Sequence, residues 1–584
     1  MLYPHPSRTR TVVDLSGIWN INFDFKNEGL KKAWGKGVPA SREVAVPSSY
    51  NDLFTELEVH NHMGATWYSR EFVVPAEWAG KAVHLRFEAA AYRAQVWVNG
   101  KLLGGHEGGY TPFEFDVSDE VRYGSKNLLV VYLDYILDAN TIPQGNLPPG
   151  IGGYAAWHSN TIPNVPFDFY PYGGIHRPVK IYCTEKDYID DLTVKTDISG
   201  KSGIVHYEIV TKGSLGTTVE VTVGGVTGRA KVVRGKAVGS VVIPKCKFWS
   251  HAAPNLYEFA ASLDNADGEM LDEYTLPIGV RTVKIKGNKL LLNGKPVYFK
   301  GFGRHEDMDI AGKGLNIPFI IRDNNLMKWM HANSYRTAHY PHSDEEMQLA
   351  DQQGILLTTE SQAVTVSLRA ATPKTLERHL VAIREMYDRD KNHPSVIMWS
   401  LGDECEKGEP GSLAYFTKLT REMRKMDDTR PISKALTLHP RDDKIAQLFD
   451  LVIFNIYACW YGGPGRLETL ESRLEDQVGG YWRKFKKPIL IGEFGADSYP
   501  GLNWLPHIVW SEEYHCHLVQ KTIEWFRKQH YIIGEQIWVF ADFKCSQENG
   551  RAILNRKGMF SRNRQPKMVA HTLRAIWDPR NDPY

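Results

Sequence analysis

Two glutamates close strongly apolar runs: Glu404 ends SVIMWSLGDE and Glu493 ends KPILIGEF. A carboxyl group at the mouth of such a run sits where loss of water disfavours its charge. Taken singly, each has the plain alternative of pairing with an arginine on a neighbouring strand. As a pair facing each other over a bound molecule, they are equipped to cleave a glycosidic bond. One carboxyl protonates the leaving oxygen while the other attacks carbon or activates water, and a gap of about 5–5.5 Å gives retention where a wider one gives inversion. Other polar or aromatic residues end neighbouring apolar runs: His305, Glu306, Arg336, His339, Glu360, Tyr457, Tyr461 and Trp538.

The elements that must hold these groups are legible in the periodicity. Up to residue 183, short alternating runs such as KAVHLRF, AQVWVNG and LLVVYLD are bounded by Gly, Pro and Asn, which predicts a β-sandwich. Residues 184–280 continue in that style and suit a second sandwich of immunoglobulin type. From 281 to 584 short apolar strands alternate with amphipathic helices, and eight such units predict a (β/α)8 barrel. In one helix Leu376, Leu380, Ile383 and Tyr387 recur at the helical period and mark its expected buried stripe. Barrel enzymes carry their chemistry at the C-terminal strand ends. Glu404 and Glu493 fall on the fourth and seventh, across the mouth from one another.

Bulk composition narrows the function classes. A chain of 584 residues with 42% hydrophobic content can bury several cores. With 70 basic and 68 acidic residues the net charge is +2, which gives no support to a nucleic-acid partner. Six cysteines without a paired spacing predict reduced thiols and a cytoplasmic setting. No signal-like segment or long apolar run appears, so no membrane partner is expected. GFGRHE at 301–306 departs from the dinucleotide-binding glycine pattern, and His305-Glu306 does not form the paired-histidine motif of zinc hydrolases. No cofactor and no metal are expected.

Several motifs make the reading more specific. HEGGYTPFEFDV (106–117) and YGGIHRPV (172–179) lie in the first sandwich. GFGRHED (301–307), NSYRTAHYP (333–341), RDKNHPSVIMWS (389–400), GEQIWVFADF (534–543) and NRKGMFSRNRQPK (555–567) lie in the barrel. In these, and over nearly its whole length, the chain resembles the β-glucuronidases of glycoside hydrolase family 2. The resemblance implies a jelly-roll sandwich, an immunoglobulin-like sandwich and a TIM barrel, with a retaining mechanism through a covalent glycosyl-enzyme. It implies Glu404 as acid/base, Glu493 as nucleophile and Tyr461 as the tyrosine that hydrogen-bonds the nucleophile. Asn455, Tyr457 and His339 match pocket positions, Trp538 the floor of the sugar site, and Asp168 a sandwich residue that holds a sugar hydroxyl. Arg551, Asn555 and Lys557 match the group that recognises the substrate's C6 carboxylate. The substrate implied is a small-molecule or glycan glucuronide, and the assembly a homo-oligomer, dimer or tetramer.

Two positions depart from the family pattern. Relatives carry Asn immediately before the acid/base, where it holds the sugar's 2-hydroxyl; this chain has Asp403. An Asp accepts that bond but cannot donate as the amide does, so weak activity on ordinary aryl glucuronides is expected. TTES (358–361) lacks the Asp that usually precedes the Glu. The segment between Glu360 and the helix after it is short and predicts an open site tolerant of bulky aglycones. The alternatives to a β-glucuronidase are a β-galacturonidase and, outside the enzymes, a sugar-binding protein without catalysis.

Overall fold

The computed structural model describes residues 2–148, 151, 161–405, 408–548 and 550–582. The first sandwich pairs a six-stranded antiparallel sheet, running in space Arg42–Val46, Gly17–Phe23, Ala65–Val73, Lys126–Asp134, Arg93–Val98, Lys101–Glu107, with a four-stranded sheet built around Ala82–Phe87 and Val179–Thr184. Alternation explains the pairing of the layers. Trp19 and Ile21, Val96 and Val98, Leu129, Val131 and Leu133 point inward to meet Val83, Leu85, Phe87 and Ile181. The second sandwich packs the sheet Tyr188–Ser199, Ser202–Lys212, Lys236–Ile243 on a four-stranded sheet centred on Thr218–Val223 and Tyr257–Asp264. Its core takes every second residue, among them Val205, Tyr207 and Ile209 from one sheet and Val219, Val221, Phe259 and Leu263 from the other.

The barrel is closed and parallel. Its strands are Phe299–Arg304, Ser334–Thr337, Leu356–Glu360, Val396–Asp403, Ile432–Leu436, Val452–Asn455, Ile489–Glu493 and Ile532–Ile537. The eighth pairs back with the first, Gly534 opposite Phe299. Every residue of these strands is buried, as expected of a parallel sheet covered on both faces, and this is why the strands read as continuous apolar runs. Asn316, Ser343, Thr372 and Ser511 cap the helices after strands one, two, three and seven with side-chain oxygens on backbone N–H groups. The expected sandwich–sandwich–barrel architecture is the one observed.

One local expectation is corrected. The helix Pro373–Asp390 buries Thr375, His379, Ala382, Ile383, Met386 and Tyr387, while Leu376 and Leu380 are only partly buried. The stripe is turned toward His379 because that imidazole has buried partners on both nitrogens, Tyr415 Oη at 3.0 Å and the Leu401 carbonyl at 2.9 Å. The second link ties the helix to the strand carrying Asp403. No helix among the described residues is long and apolar enough to cross a membrane.

Candidate active site

Strand four delivers two neighbouring acids into the barrel mouth through an irregularity. Its register with strand five shifts between Ser400 and Asp403, and Gly402 lies at φ +143°. A Cβ there would meet the Ala363 carbonyl oxygen at 2.5 Å, so only glycine lets the chain pass so close to the strand-three loop. The bulge re-aims the two side chains after it. Asp403 is buried, and Glu404 takes the left-handed conformation at φ 44°, a backbone state that costs a non-glycine residue about 1–3 kcal/mol.

Strands two, three, six and seven supply the partners. Arg336, fully buried, donates from Nη2 to Glu493 and from Nη1 to Glu360 at 2.6 Å, with Asp403 Oδ1 at 3.5 Å. The arginine pairing considered for an isolated glutamate is thus present at Glu493, inside a larger network. Glu360 also faces His339 Nδ1 at 2.9 Å and accepts from Ser400 Oγ at 2.7 Å. Asn455 Nδ2 donates to Asp403 Oδ1 at 3.0 Å and to Glu404 Oε1 at 3.1 Å, so one amide bridges the two neighbouring acids. Tyr457 Oη donates to Glu493 Oε2 at 2.7 Å.

The expectation that Tyr461 hydrogen-bonds the nucleophile is corrected. Tyr461 Oη instead meets Arg551 Nη2 at 2.6 Å and Lys557 Nζ at 2.9 Å. Tyr457 and Tyr461 flank one turn of loop after strand six, and spacing alone did not determine which of the two faces strand seven.

Those cations form a separate corner. Lys557 is fully buried and paired with Asp497, which also takes Arg551 Nη1 at 3.2 Å. Asp168 arrives from the first sandwich. It accepts Arg551 Nε at 3.2 Å and Nη2 at 2.7 Å on its two oxygens, and Asn555 Nδ2 at 2.8 Å. The segment that carries it is fastened to the barrel by Tyr170 N donating to the Lys544 carbonyl at 2.8 Å. Asp168 therefore positions the cation corner as well as facing the pocket. Asp497 was not among the residues picked out in the sequence; the signal available was an acid four residues beyond Glu493 in GEFGAD.

Trp538 covers the mouth beside this network. Its ring stacks on His339 at 4.8 Å between centroids and meets His305 edge-on at 5.3 Å. Gly303 allows the approach, since a Cβ there would lie 2.5 Å from the indole. All twelve expected site residues thus fall in one connected region. Glu404, Glu493, Asp403, Asn455, Tyr457, His339 and Trp538 gather around Arg336, and Asp168, Arg551, Asn555, Lys557 and Tyr461 form the adjoining corner.

Electrostatics divide the carboxylates into two kinds. Burial, reinforced by the charge of Asp403, pushes Glu493 up to about 8, with Arg336 opposing. Asp403 rises to about 6 through burial, against the pull of His339 and Arg336. Glu360 is also buried, yet Arg336 and His339 hold it below the usual range. Burial works against Asp497 too, but Lys557 and Arg551 bring it down to about 2. His339 is raised: burial is outweighed by Asp403 and the bond to Glu360.

The fold assembles two donor groups, Glu306–His342–Glu346 and His339–Asp403–Glu493, from residues distant in the chain. Guanidinium groups already balance both: Arg177 on Glu306 and Arg304 on Glu346, and Arg336 on Glu493. The charge a divalent ion would neutralise is largely neutralised there.

Comparison with known proteins agrees with the sandwich–sandwich–barrel architecture. Residues 12–185 match the sugar binding domain of glycosyl hydrolases family 2, residues 187–281 the model for glycosyl hydrolases family 2, and residues 283–581 its TIM barrel domain. The chain is similar to a beta-glucuronidase of Paenibacillus borealis, 36% identical, over 99% of this chain and 98% of that one. Among solved structures it is similar to a beta-glucuronidase of an uncultured Clostridium sp. (37% identity, TM-score 0.92) and to a Ruminococcus gnavus β-glucuronidase in complex with D-glucuronic acid (34%, TM-score 0.92). In both cases 99% of each chain is covered.

Proposed function

Because the chain belongs to glycosyl hydrolases family 2, we propose that it is a retaining, exo-acting β-glucuronidase that releases terminal β-linked D-glucuronic acid from conjugates. The observation that carries the sugar assignment is the cation corner of Arg551, Asn555 and Lys557, buried beside the carboxylate pair and joined to it through Tyr461 and Tyr457. Desolvated cations with a planar fork suit a carboxylate and would be poorly used on a neutral hydroxymethyl group.

In the first step Glu404 gives its proton to the glycosidic oxygen while a Glu493 oxygen attacks C1. The C1–O1 bond breaks, an ester to Glu493 forms, and the aglycone leaves as an alcohol. In the second step the Glu404 carboxylate takes a proton from water, the water oxygen bonds to C1, and Glu493 departs as a carboxylate. Arg336 and Tyr457 donate to Glu493 and favour the ionised form that the attack requires. Trp538 offers an apolar face for the sugar ring, and His339 packs beneath it.

Three further features belong to this reading. All six cysteines are free thiols, which supports a cytoplasmic setting. Assembly as a homo-oligomer, dimer or tetramer, is the second. Tolerance of bulky aglycones beside the short strand-three loop, whose Thr365 and Ser367 bond to Pro166 and Gln144 of the first domain, is the third.

Hydrolysis of p-nitrophenyl β-D-glucuronide, with the galacturonide, glucoside and galactoside as comparisons, tests the assignment. Glucuronide turnover that vanishes in Glu493→Ala is the expected result. Preference for the galacturonide or for a neutral sugar would overturn the sugar assignment.

A further inference from the structure

One carboxylate in the pocket is surplus to the displacement chemistry. Glu404 and Glu493 carry the reaction, and Glu360 is taken up by Arg336, His339 and Ser400. Asp403 remains. Its Oδ1 accepts from Asn455 and faces Arg336. Its Oδ2 takes no hydrogen bond among the described residues, and the nearest cation is His339 Nδ1 at 3.6 Å. The residue is only 3% exposed, yet this oxygen is not among the buried polar atoms sealed off without a partner, as Asn455 Oδ1 is. It is a nearly buried acceptor whose second oxygen has no hydrogen-bond donor among the described residues.

Its place in the pocket identifies what it meets. Asp403 shares the Asn455 amide with Glu404 and the Arg336 guanidinium with Glu493, so it lies between the two groups that must flank C1. The ring atoms bonded to C1 are O5 and C2. Lys557 and Arg551 draw the C6 carboxylate, and with it C5 and O5, toward the side of strands six to eight. The C2 substituent is thereby turned to strand four, where Asp403 stands. An ionised carboxylate accepts and cannot donate, and its strongest partner is a cationic donor.

We propose that this site takes β-linked uronides bearing a free ammonium at C2, 2-amino-2-deoxy-β-D-glucuronides, in preference to the 2-hydroxyl sugar, with Asp403 Oδ2 as counter-ion. The inference rests on the uronide reading above and refines it. The ammonium also acts on the nucleophile. The charge of Asp403 is what raises Glu493 most after burial itself, and a cation beside both carboxylates lets Glu493 ionise. A 2-acetamido group carries no charge and so gains nothing from Asp403 as counter-ion.

The test compares kcat/KM at about pH 7, where an amine of ordinary pKa near 8 is mostly charged and Asp403, at about 6, is mostly ionised. The p-nitrophenyl substrates are the 2-amino-2-deoxy-β-D-glucuronide, the glucuronide, the 2-acetamido uronide and the 2-amino-2-deoxy-β-D-glucoside, which lacks the carboxylate. The native chain is expected to favour the amino uronide over the glucuronide by about 10-fold or more, the scale of a charge-assisted hydrogen bond. Asp403→Asn is expected to reverse that order. An amino-to-hydroxyl ratio below one in the native chain, or the same ratio in Asp403→Asn, overturns the inference while glucuronide turnover leaves the parent reading standing. Amino glucoside cleaved as well as amino uronide, with the ratio still dependent on Asp403, upholds the role of Asp403 and overturns the uronide reading. Should Asp403→Asn not fold, the native chain decides by calorimetry. Weaker binding of 2-amino-2-deoxyglucuronic acid than of glucuronic acid overturns the inference, and tighter binding upholds it.

Discussion

Tyr457 donates its phenol proton to Glu493 Oε2 across 2.7 Å, and burial and the neighbouring Glu493 charge keep that phenol protonated. It is thus a donor to the carboxylate that leaves C1 in the second step of the proposed mechanism, whereas Tyr461 contacts Arg551 and Lys557. Tyr457→Phe should lower kcat by roughly 10- to 100-fold, the cost of one hydrogen bond to a charged oxygen, with little change in KM. Tyr461→Phe should instead raise KM for the uronide. Steady-state kinetics on both variants decide the matter, and matching kinetic changes would show that the two phenols do not divide the work.

The pair of Lys557 and Asp497 gives a second expectation. Both are almost fully buried. Lys557→Met should reduce uronide-over-glucoside selectivity and leave an underpaired buried anion. That should destabilise the fold by about 3 kcal/mol, at the low end for a broken buried pair because Arg551 still reaches Asp497 at 3.2 Å. Adding Asp497→Asn should restore the melting temperature without restoring selectivity. Recovery of both in the double variant would contradict the assigned role of Lys557.

The pH dependence comes from carboxyls held above their unfolded values. Asp403 at about 6 and Glu493 at about 8 bind more protons in the folded chain than in the unfolded one above about pH 4. Their stabilising contribution is therefore complete below that pH and is lost as pH rises through 6 and 8. His176, His379 and His515, lowered to about 3, 4 and 3 by burial, act in the opposite sense. The useful quantity is accordingly the difference between native and Asp403→Asn melting curves, which should widen in favour of the variant from pH 5 to 8. The acid limb of kcat/KM should also move to lower pH in the variant. A constant difference would contradict the coupling of Asp403 to Glu493.

Lys313 supplies an independent case away from the chemistry. Its amine is enclosed by the rings of Tyr340, Phe169 and Tyr110 at 3.8, 4.5 and 4.8 Å, and burial brings it down to about 7. The folded chain then holds fewer protons than the unfolded one between about 7 and 10.4, so this group's penalty is greatest at acid pH and shrinks as pH rises. Lys313→Met should raise the melting temperature, and by more at pH 6 than at pH 9. Equal changes at the two pH values would indicate that the cage neutralises the burial cost.

Much of the site was legible because its parts are short and locally patterned. The apolar strand ends point to Glu404 and Glu493 directly, since a parallel barrel requires buried runs and presents its chemistry at their C-terminal ends. Asn555 and Lys557 were picked out only through the resemblance to the family, which supplied their role. Asp497 was not legible, because an acid in a loop carries no period and acquires its role only when Lys557, 60 residues later, folds against it.

The order of strands and helices, the three-domain architecture and the chemical types gathered at the barrel mouth were determined by the sequence alone, because alternation and turn chemistry act over a few residues at a time. Tertiary structure alone decided that Tyr457 and not Tyr461 meets Glu493, that Arg336 binds Glu360 and Glu493 together, and that Asp403 Oδ2 lies 3.6 Å from His339 Nδ1. Those relationships join strands two, three, four, six and seven. Their energies depend on angles and on burial that exist only once the barrel has closed.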